Sequence, residues 1–207
     1  MGGSRRGTPN DPTRQSKILD ATLHVVATDG VNGTTHRKIA ARAGVALGSL
    51  SYYFDGIDDI LCHAFAWFAE NMSRVYRQTL SEARTADDAE AAVVELICGP
   101  DYASRRDMTL IFEMYAYANH NPNVARHTRT WVERSRESLQ LHFSPQTCRA
   151  LDALIEGWPM HRAFERTPLD RDLVATTVHA VVTAVGRADP DGNDRPRAPI
   201  TPITTFT

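Results

Sequence analysis

The segment Thr34–Phe54, TTHRKIAARAGVALGSLSYYF, decides the fold of this chain. Thr35 is suited to cap a helix, because its hydroxyl can accept a hydrogen bond from an unpaired amide of the first turn. Ile39 and Ala43 then recur on one face at helical spacing. Gly44 stands where that helix must end, since glycine tolerates the left-handed conformation that closes a helix. The first half of the segment therefore predicts a short capped helix.

A second short helix is predicted over residues 46–53, with Leu50 and Phe54 facing inward. Two short helices joined by a turn that contains glycine are typical of a helix-turn-helix, whose second helix enters the major groove of DNA. Gly48 lets the backbone approach the groove closely. Burial of Leu50 and Phe54 leaves an opposite face of this helix pointing outward, formed by Leu47, Ser49, Ser51 and Tyr52.

The same segment resembles the TetR family of bacterial transcriptional regulators. The resemblance covers about residues 18–61, and its motifs are Gly30, Thr34-Thr35, Ile39-Ala40, Ala43-Gly44-Val45, Gly48-Ser49-Leu50 and Tyr52-Tyr53-Phe54. It implies an all-α protein, in which an N-terminal three-helix helix-turn-helix DNA-binding module is followed by a helical effector-binding and dimerisation domain. Two positions depart from the family pattern: Ser51 replaces a Tyr, and Ile57 replaces a Lys that reaches a DNA phosphate.

The helix-turn-helix pattern and the family resemblance together identify the residues expected to contact DNA. The start of the first short helix is expected to lie on the DNA backbone, and Arg37 also to reach for a base edge. Tyr53 resembles an aromatic residue of the family that contacts a phosphate. The complete set is Thr35, His36, Arg37, Lys38, Leu47, Gly48, Ser49, Ser51, Tyr52 and Tyr53.

Charge is unevenly distributed along the 207 residues. The first 54 residues hold seven Arg and Lys against three Asp, although the whole chain has a net charge of −2. A basic N-terminal module on an acidic body is typical of a DNA-binding protein with a separate sensing domain. Random asymmetry of a few charges is the alternative.

Composition and motifs argue against membrane, secreted, metal-binding and enzymatic classes of protein. No run approaches about 18 consecutive apolar residues, so no transmembrane helix is predicted. The N-terminus lacks the apolar core of a signal peptide, and three scattered cysteines favour reduced thiols in the cytoplasm. Eight histidines form no dense ligand cluster, and no phosphate-binding loop or nucleophile turn is present. We therefore expect no catalytic residues, no metal, no cofactor and no membrane partner.

Four parts are predicted along the chain. Residues 1–12 are expected to form a mobile basic arm, and residues 13–55 the DNA-binding domain. Residues 56–187 are expected to form the ligand-binding and dimerisation domain, with a long helix over 57–84 as the one element that touches both parts. Residues 188–207, which are rich in proline, are expected to be disordered.

Aromatic residues are concentrated in the second domain. At helical spacing each of them is first of all a candidate for the core, but the resemblance implies a small-molecule cavity in this region. Glu113, Asn119 and His161 are candidate polar contacts there. The predicted pocket set is Trp67, Phe68, Met72, Phe112, Glu113, Tyr115, Asn119, Trp131, Trp158 and His161.

The resemblance also implies a homodimer, joined by the last two long helices of each subunit. Residues 146–165 and 170–186 carry more apolar surface than two terminal helices need in a monomer, and a two-fold dimer hides such a surface. The predicted interface is Leu151, Leu154, Ile155, Trp158, Val174, Val178, Val181 and Val185.

The function expected from the sequence is that of a transcriptional repressor. It binds a palindromic operator in double-stranded DNA as a homodimer and is released by a small, largely apolar effector. The alternative is a helical small-molecule-binding or enzymatic protein with degenerate operator recognition, which Ile57 and the net charge of −2 favour. Salt-dependent binding to promoter DNA separates the two.

Overall fold

The computed structural model describes residues 13–186 and shows an all-α protein. The predicted arm at 1–12 and the predicted tail at 188–207 lie outside the described residues. No strand occurs among residues 13–186, which confirms the predicted fold class. The helices are α1 Arg14–Gly33, α2 His36–Ala43, α3 Leu47–Tyr53, α4 Ile57–Ser81, α5 Ala86–Cys98, α6 Arg105–Ala118, α7 Pro122–Leu139, α8 Pro145–Phe164 and α9 Arg171–Gly186.

Side-chain caps set where several helices begin. Thr85 and Ser104 each form a reciprocal capping box, with Asp88 and Asp107 respectively, so two unpaired amides are satisfied at each start. The Ser104 cap places the start of α6 at residue 105. Helix α4 ends at residue 81 and not at the predicted residue 84.

Helix α1 continues through residues 29–33. Gly30 interrupts it with φ 73° and ψ 170°, a backbone conformation that favours glycine. The interruption frees the amide of Val31, which donates a hydrogen bond of 2.8 Å to a carboxylate oxygen of Glu113 on α6. The end of α1 is therefore held by a side chain from the second half of the chain.

Helix α4 provides the centre of the hydrophobic core. Its inner face buries Phe65, Phe68, Met72 and Tyr76, each no more than 6% exposed. The helix packs against α1, α5 and α7, so one continuous core runs from the N-terminal helices into the rest of the described chain. Burial of these four side chains contributes roughly 1.5–3 kcal/mol each to folding.

The prediction that α4 alone touches both parts of the chain is wrong. Helix α6 also packs against α1, through the bond from Val31 to Glu113 and an ion pair of 3.9 Å between Arg106 and Asp20. Tyr117 of α6 also donates a hydrogen bond of 2.8 Å to Asp58 in the first turn of α4. Two elements, α4 and α6, thus connect the N-terminal helices to the remainder.

Candidate functional site

Helices α2 and α3 form the turn that the sequence predicts. The hydroxyl of Thr35 accepts from the amide of Lys38 at 3.3 Å, and Gly44 closes α2 in the left-handed conformation with φ 66°. Leu50 and Phe54 are buried, so α3 is fixed in rotation about its axis. These local features confirm the predicted cap, helix end and inward face.

The opposite face of α3 projects away from the protein. Leu47 is 53% exposed and Tyr52 is 74% exposed, and Ser51 is exposed beside them, whereas Ser49 is half-buried. No atom lies within 4 Å of a Cβ built at Gly48, so a surface can approach the backbone there. Exposed large apolar side chains on a short helix indicate a contact surface for another molecule.

The basic residues of α2 are in different situations. Arg37 is exposed, and no hydrogen bond or ion pair joins it to residues 13–186. The ammonium of Lys38 instead lies 2.8 Å from the carbonyl oxygen of Gly33 and 3.1 Å from a carboxylate oxygen of Asp29, so it holds the end of α1. Of the two cations, Arg37 is the better placed for a phosphate. Of the remaining predicted contacts, Thr35 is exposed, and His36 and Tyr53 are half-buried.

Ile57 begins α4 and packs against the hydrophobic core. Asp58 and Asp59 occupy the same first turn, where negative charge interacts favourably with the helix dipole. Asp58 is bonded to Tyr117, and Asp59 accepts from the amide of Asp55 at 3.0 Å. The position of the family's phosphate-contacting Lys is therefore used here for packing and helix capping.

A second feature, the aromatic cavity, lies among α6, α7 and α8. It encloses about 20 Å³, and its walls are Tyr102, Ala103, Met108, Ile111, Tyr115, Trp131, Ile155, Glu156 and Met160. An open depression of about 300 Å³, which we call the mouth, shares Ala103 and Met108 with it. The other residues of the mouth are Arg105, Pro159, Arg162, Ala163, Phe164 and Glu165.

Buried and partly buried polar groups lie at the aromatic cavity and beside it. Tyr115 donates a hydrogen bond of 3.0 Å to Glu156, and burial raises the pKa of the Glu156 carboxyl, although this bond and the charge of Arg136 oppose the shift. Asp152 lies one turn earlier on α8 and accepts from Arg136 at 3.1 Å. Burial and then the neighbouring Glu156 raise the pKa of Asp152 to about 6.

Three buried polar side-chain atoms have no hydrogen-bond partner within the described chain. They are the indole nitrogen of Trp131 and the hydroxyl oxygens of Tyr76 and Ser73. Trp131 is 3% exposed and lines the aromatic cavity, with its ring centroid 6.1 Å from that of Tyr115. Unsatisfied buried donors are rare in proteins and indicate a site that takes a water or a ligand.

The structure brings only two of the ten predicted pocket residues, Tyr115 and Trp131, to the cavity walls. Phe112 stacks on Phe164 near the mouth, with ring centroids 5.5 Å apart. The other residues of α4 and α8 in that set belong to the core or pack against it: Trp67, Phe68, Met72 and Trp158.

The three predicted polar contacts do not line this cavity. Glu113 faces α1, because its carboxylate accepts from the amide that Gly30 frees. Asn119 is the exposed C-cap of α6, and exposed His161 lies 3.8 Å from Glu165. The carboxylate that lines this cavity is Glu156, which sequence reasoning did not single out. The available signal was a pair of acids, Asp152 and Glu156, one turn apart on α8.

The predicted interface residues divide into two groups. Leu151, Ile155, Val174 and Val178 are at most 1% exposed in the single chain, so they belong to its own core and leave almost no surface for a second subunit. They point inward because α8 packs against α5 and α9. The half-exposed members of the predicted set are Leu154, Trp158, Val181 and Val185.

Comparison with known proteins bears on both features. Residues 18–64 match the profile of the bacterial regulatory proteins, tetR family. The crystal structure of SCO7518 from Streptomyces coelicolor A3(2) superposes with a TM-score of 0.76 at 41% identity, covering 83% of this chain and 99% of that one. The HTH-type transcriptional regulator BetI of Burkholderia mallei (strain NCTC 10229) is 26% identical over 169 residues, which cover 76% of this chain and 85% of BetI.

The chain belongs to the TetR family. It is a transcriptional regulator with a DNA-binding helix-turn-helix and not an enzyme, because the family and its relatives are regulators. The multidrug binding protein EbrR, solved with imidazole, is also similar, with a TM-score of 0.65 at 29% identity over 83% of this chain and 96% of that one. EbrR has also been solved with ethidium, proflavin and malachite green.

No helix among residues 13–186 of this TetR-family chain is long and apolar enough to cross a membrane. In the same range, no three His, Cys, Asp or Glu side chains are grouped so as to hold a metal ion.

The raised pKa of Asp152 gives a prediction for stability. The folded state binds a proton at this site more tightly than the unfolded state does. The stabilisation is therefore complete below about pH 4 and is lost as the pH rises through about 6. We expect Asp152→Asn to remove this dependence. As the pH rises from about 4 to above 6, the free energy of unfolding of the variant should therefore increase by roughly 3 kcal/mol relative to that of the wild type. Urea unfolding at several pH values measures the difference.

The control for this experiment is Asp101→Asn, which changes an exposed carboxylate. It measures the pH dependence that an Asp→Asn exchange produces at an exposed position. A pH-dependent gain for Asp152→Asn no larger than that of Asp101→Asn would contradict the assignment of a buried, destabilised carboxylate.

Proposed function

We propose that this chain is a repressor in the cytoplasm that binds a palindromic operator as a homodimer. It leaves the operator when a small, largely apolar effector occupies the aromatic cavity. The observation that carries the DNA-binding half is the outward face of α3, where Leu47 and Tyr52 are exposed while Leu50 and Phe54 fix the helix from behind. Exposed Arg37 supplies positive charge beside that face.

The effector half is supported by the cavity and its mouth. Small-molecule binding sites in proteins are concave and largely apolar, with a few polar groups. The residues that line the aromatic cavity have this character. The cavity lies against α6, which also contacts α1. The complexes of EbrR with several small molecules support a ligand role for the corresponding region of this chain.

The domain boundaries follow from the separation of the DNA-binding helices from the effector cavity. Residues 13–55 contain the helix-turn-helix and residues 56–187 the cavity, and we propose these as the DNA-binding and effector-binding units. In a dimer, two copies of α3 would meet successive major grooves about 34–36 Å apart.

The test begins with DNA fragments selected by the purified full-length protein from a random pool. Fluorescence anisotropy then measures affinity for the selected site and for scrambled DNA at several salt concentrations. A steep salt dependence without sequence preference would favour degenerate operator recognition. Loss of the phosphate-contacting Lys at Ile57 makes that alternative worth testing.

The contacts of α3 and α2 predict different effects on DNA binding. Leu47→Ala removes an apolar contact that suits a thymine methyl, so we expect preference at one base pair to change by about 1 kcal/mol. Arg37→Ala removes a phosphate contact, so all sequences should weaken alike and the salt slope should fall by about one. Anisotropy against single-base variants of the selected site distinguishes these results. Equal loss of specificity from both substitutions would contradict the assignment of a base contact to Leu47 and a phosphate contact to Arg37.

Lys38→Ala is the matched comparison, because Lys38 is bound to Gly33 and Asp29. It should lower the thermal stability of the N-terminal helices, with a smaller change in salt slope than Arg37→Ala.

A further inference from the structure

Negative charge predominates at the aromatic cavity. Glu156 lines it, and Asp152 lies one turn earlier on α8, next to the cavity but not among its lining residues. Arg136 of α7 is bonded to Asp152. Three phenols face the two acids: Tyr76 from α4, Tyr102 from the segment before α6, and Tyr115 from α6 itself. Cys148 lies on α8, as the two acids do. One guanidinium thus faces two carboxylates, and Glu156 receives its hydrogen bond from a neutral phenol.

A buried carboxylate without a cationic partner is costly, and a protein relieves the cost by protonation or by pairing with a cation. Burial raises the pKa of the Glu156 carboxyl, which reflects this cost. A cation that enters the cavity relieves the cost by pairing with the carboxylate.

The walls of the cavity suit a cation for a second reason. The rings of Tyr102, Tyr115 and Trp131 line it, and Tyr76 packs edge-on to Tyr102 with ring centroids 5.5 Å apart. The faces of such rings attract positive charge, most strongly where water is excluded. The buried indole N–H of Trp131 also has no acceptor among residues 13–186 and is available to one on a ligand.

From these observations we propose that the effector is an aromatic or otherwise apolar cation. Its positively charged nitrogen lies between Glu156 and the rings of Tyr102, Tyr115 and Trp131. This inference rests on the proposed function, because it names the ligand class of the same cavity.

The size of the cavity fixes where the rest of the ligand lies. A space of about 20 Å³ holds roughly one water molecule, so a ligand must displace a wall. Met108 separates the cavity from the mouth of about 300 Å³, and Met160 lines the cavity wall. Methionine side chains are flexible and repack easily. The apolar body of the ligand therefore extends past Met108 toward Phe164.

Two arginines at the mouth do not alter this charge balance. The guanidinium of Arg162 donates to the carbonyl oxygens of Ile97 and Ala103 at 3.1 and 2.8 Å, so it is occupied in holding the backbone. Arg105 is exposed at the surface, and Glu165 lies in the same rim. The interior, where a ligand is desolvated, remains acidic.

The test compares a charged and an uncharged planar probe on the full-length protein. Ethidium is the cation, and phenanthridine, which is uncharged at pH 7.5, is the comparator. Glu156→Gln keeps the shape and can still accept from Tyr115, but it removes the charge. We expect the dissociation constant of ethidium to rise at least tenfold and that of phenanthridine to change less than twofold. Fluorescence titration measures the first and calorimetry the second.

Glu137→Gln is the control, since it removes the charge of an exposed carboxylate on α7. It should leave both dissociation constants unchanged. In the wild type, ethidium should bind more tightly as the pH rises and the Glu156 carboxyl ionises, and Glu156→Gln should flatten this dependence. Undiminished ethidium binding by Glu156→Gln, equal loss of both probes, or failure of the wild type to bind ethidium would overturn the proposal. Thermal melts confirm that the variant is folded.

Release of DNA is measured separately with tetraphenylphosphonium, a cation that does not intercalate. Release by the uncharged triphenylphosphine oxide alone would overturn the cationic class and leave the repressor function standing. Binding of tetraphenylphosphonium that depends on Glu156 but releases no DNA would support the cationic site and contradict induction through it.

Discussion

Replacing Glu113 by alanine is expected to leave operator binding in place while removing most of its release by effector. The carboxylate of Glu113 accepts from the amide of Val31 at 2.8 Å, at the point where Gly30 breaks α1. This bond joins α6, which carries Met108, Ile111 and Tyr115 of the cavity wall, to the helix that supports α2 and α3.

The physical reason is that an effector changes DNA affinity only through contacts that differ between two states. Movement of α6 around a ligand shifts Glu113 relative to Val31, and a charge-assisted hydrogen bond of roughly 1.5–3 kcal/mol transmits that shift. Coupling between two sites is typically 5–150-fold, or about 1–3 kcal/mol. Loss of one such bond is therefore large enough to reduce the coupling factor to near one.

Anisotropy of labelled operator with and without effector gives the coupling factor. Glu133→Ala, at an exposed position on α7, is the matched control and should keep the full response. Gly30→Ala disturbs the same contact between α1 and Glu113 from the α1 side. The φ of 73° at residue 30 disfavours a side chain, and the added Cβ would lie 3.3 Å from the Glu113 carboxylate. A full effector response in both Glu113→Ala and Gly30→Ala would show that the signal travels through α4 instead.

The N-terminal helices could be predicted from sequence because their determinants are local. Thr35 caps the amide of a residue three positions away, and Gly44 adopts the left-handed conformation that its own φ allows. Leu50 and Phe54 lie four residues apart on one face of a helix. Such spacings are visible in the sequence, and the structure preserves them.

The cavity could not be predicted in the same way, because it depends on how distant helices cross. Tyr102 precedes α6 in a connecting segment, where helical periodicity gives no information about its direction. Aromatic residues such as Phe68 share the same spacing whether they fill the core or line a pocket, and here Phe68 fills the core. Glu113 illustrates the same limit, since its partner Val31 is 82 positions away.

Introducing a charge on the outer face of α8 is expected to separate the proposed homodimer into folded monomers. Ala153 is exposed, and half-exposed Leu154 and Trp158 lie beside it. From Leu173 to Gly186, α9 contains no Asp, Glu, Lys or Arg, and Leu173 is 55% exposed. A solvated helix face normally carries charge, so this composition supports a covered surface.

Ala153→Glu places a carboxylate in that surface without removing anything from the protomer core. An unpaired buried charge costs several kcal/mol, which is enough to disfavour association. A monomer engages one half-site and loses the gain from simultaneous binding, so operator affinity should fall at least about a hundredfold. Sedimentation velocity measures the assembly, and anisotropy measures the affinity.

Val178→Glu supplies the contrast that separates an interface from a core. Val178 is fully buried within its own chain, so its substitution should abolish the cooperative thermal transition instead of yielding a folded monomer. Leu154→Glu should resemble Ala153→Glu, since its half-exposed side chain borders the same face. If Ala153→Glu and Leu154→Glu both sediment as intact dimers with native operator affinity, the two subunits associate through another surface, and the spacing of their α3 helices must be set there.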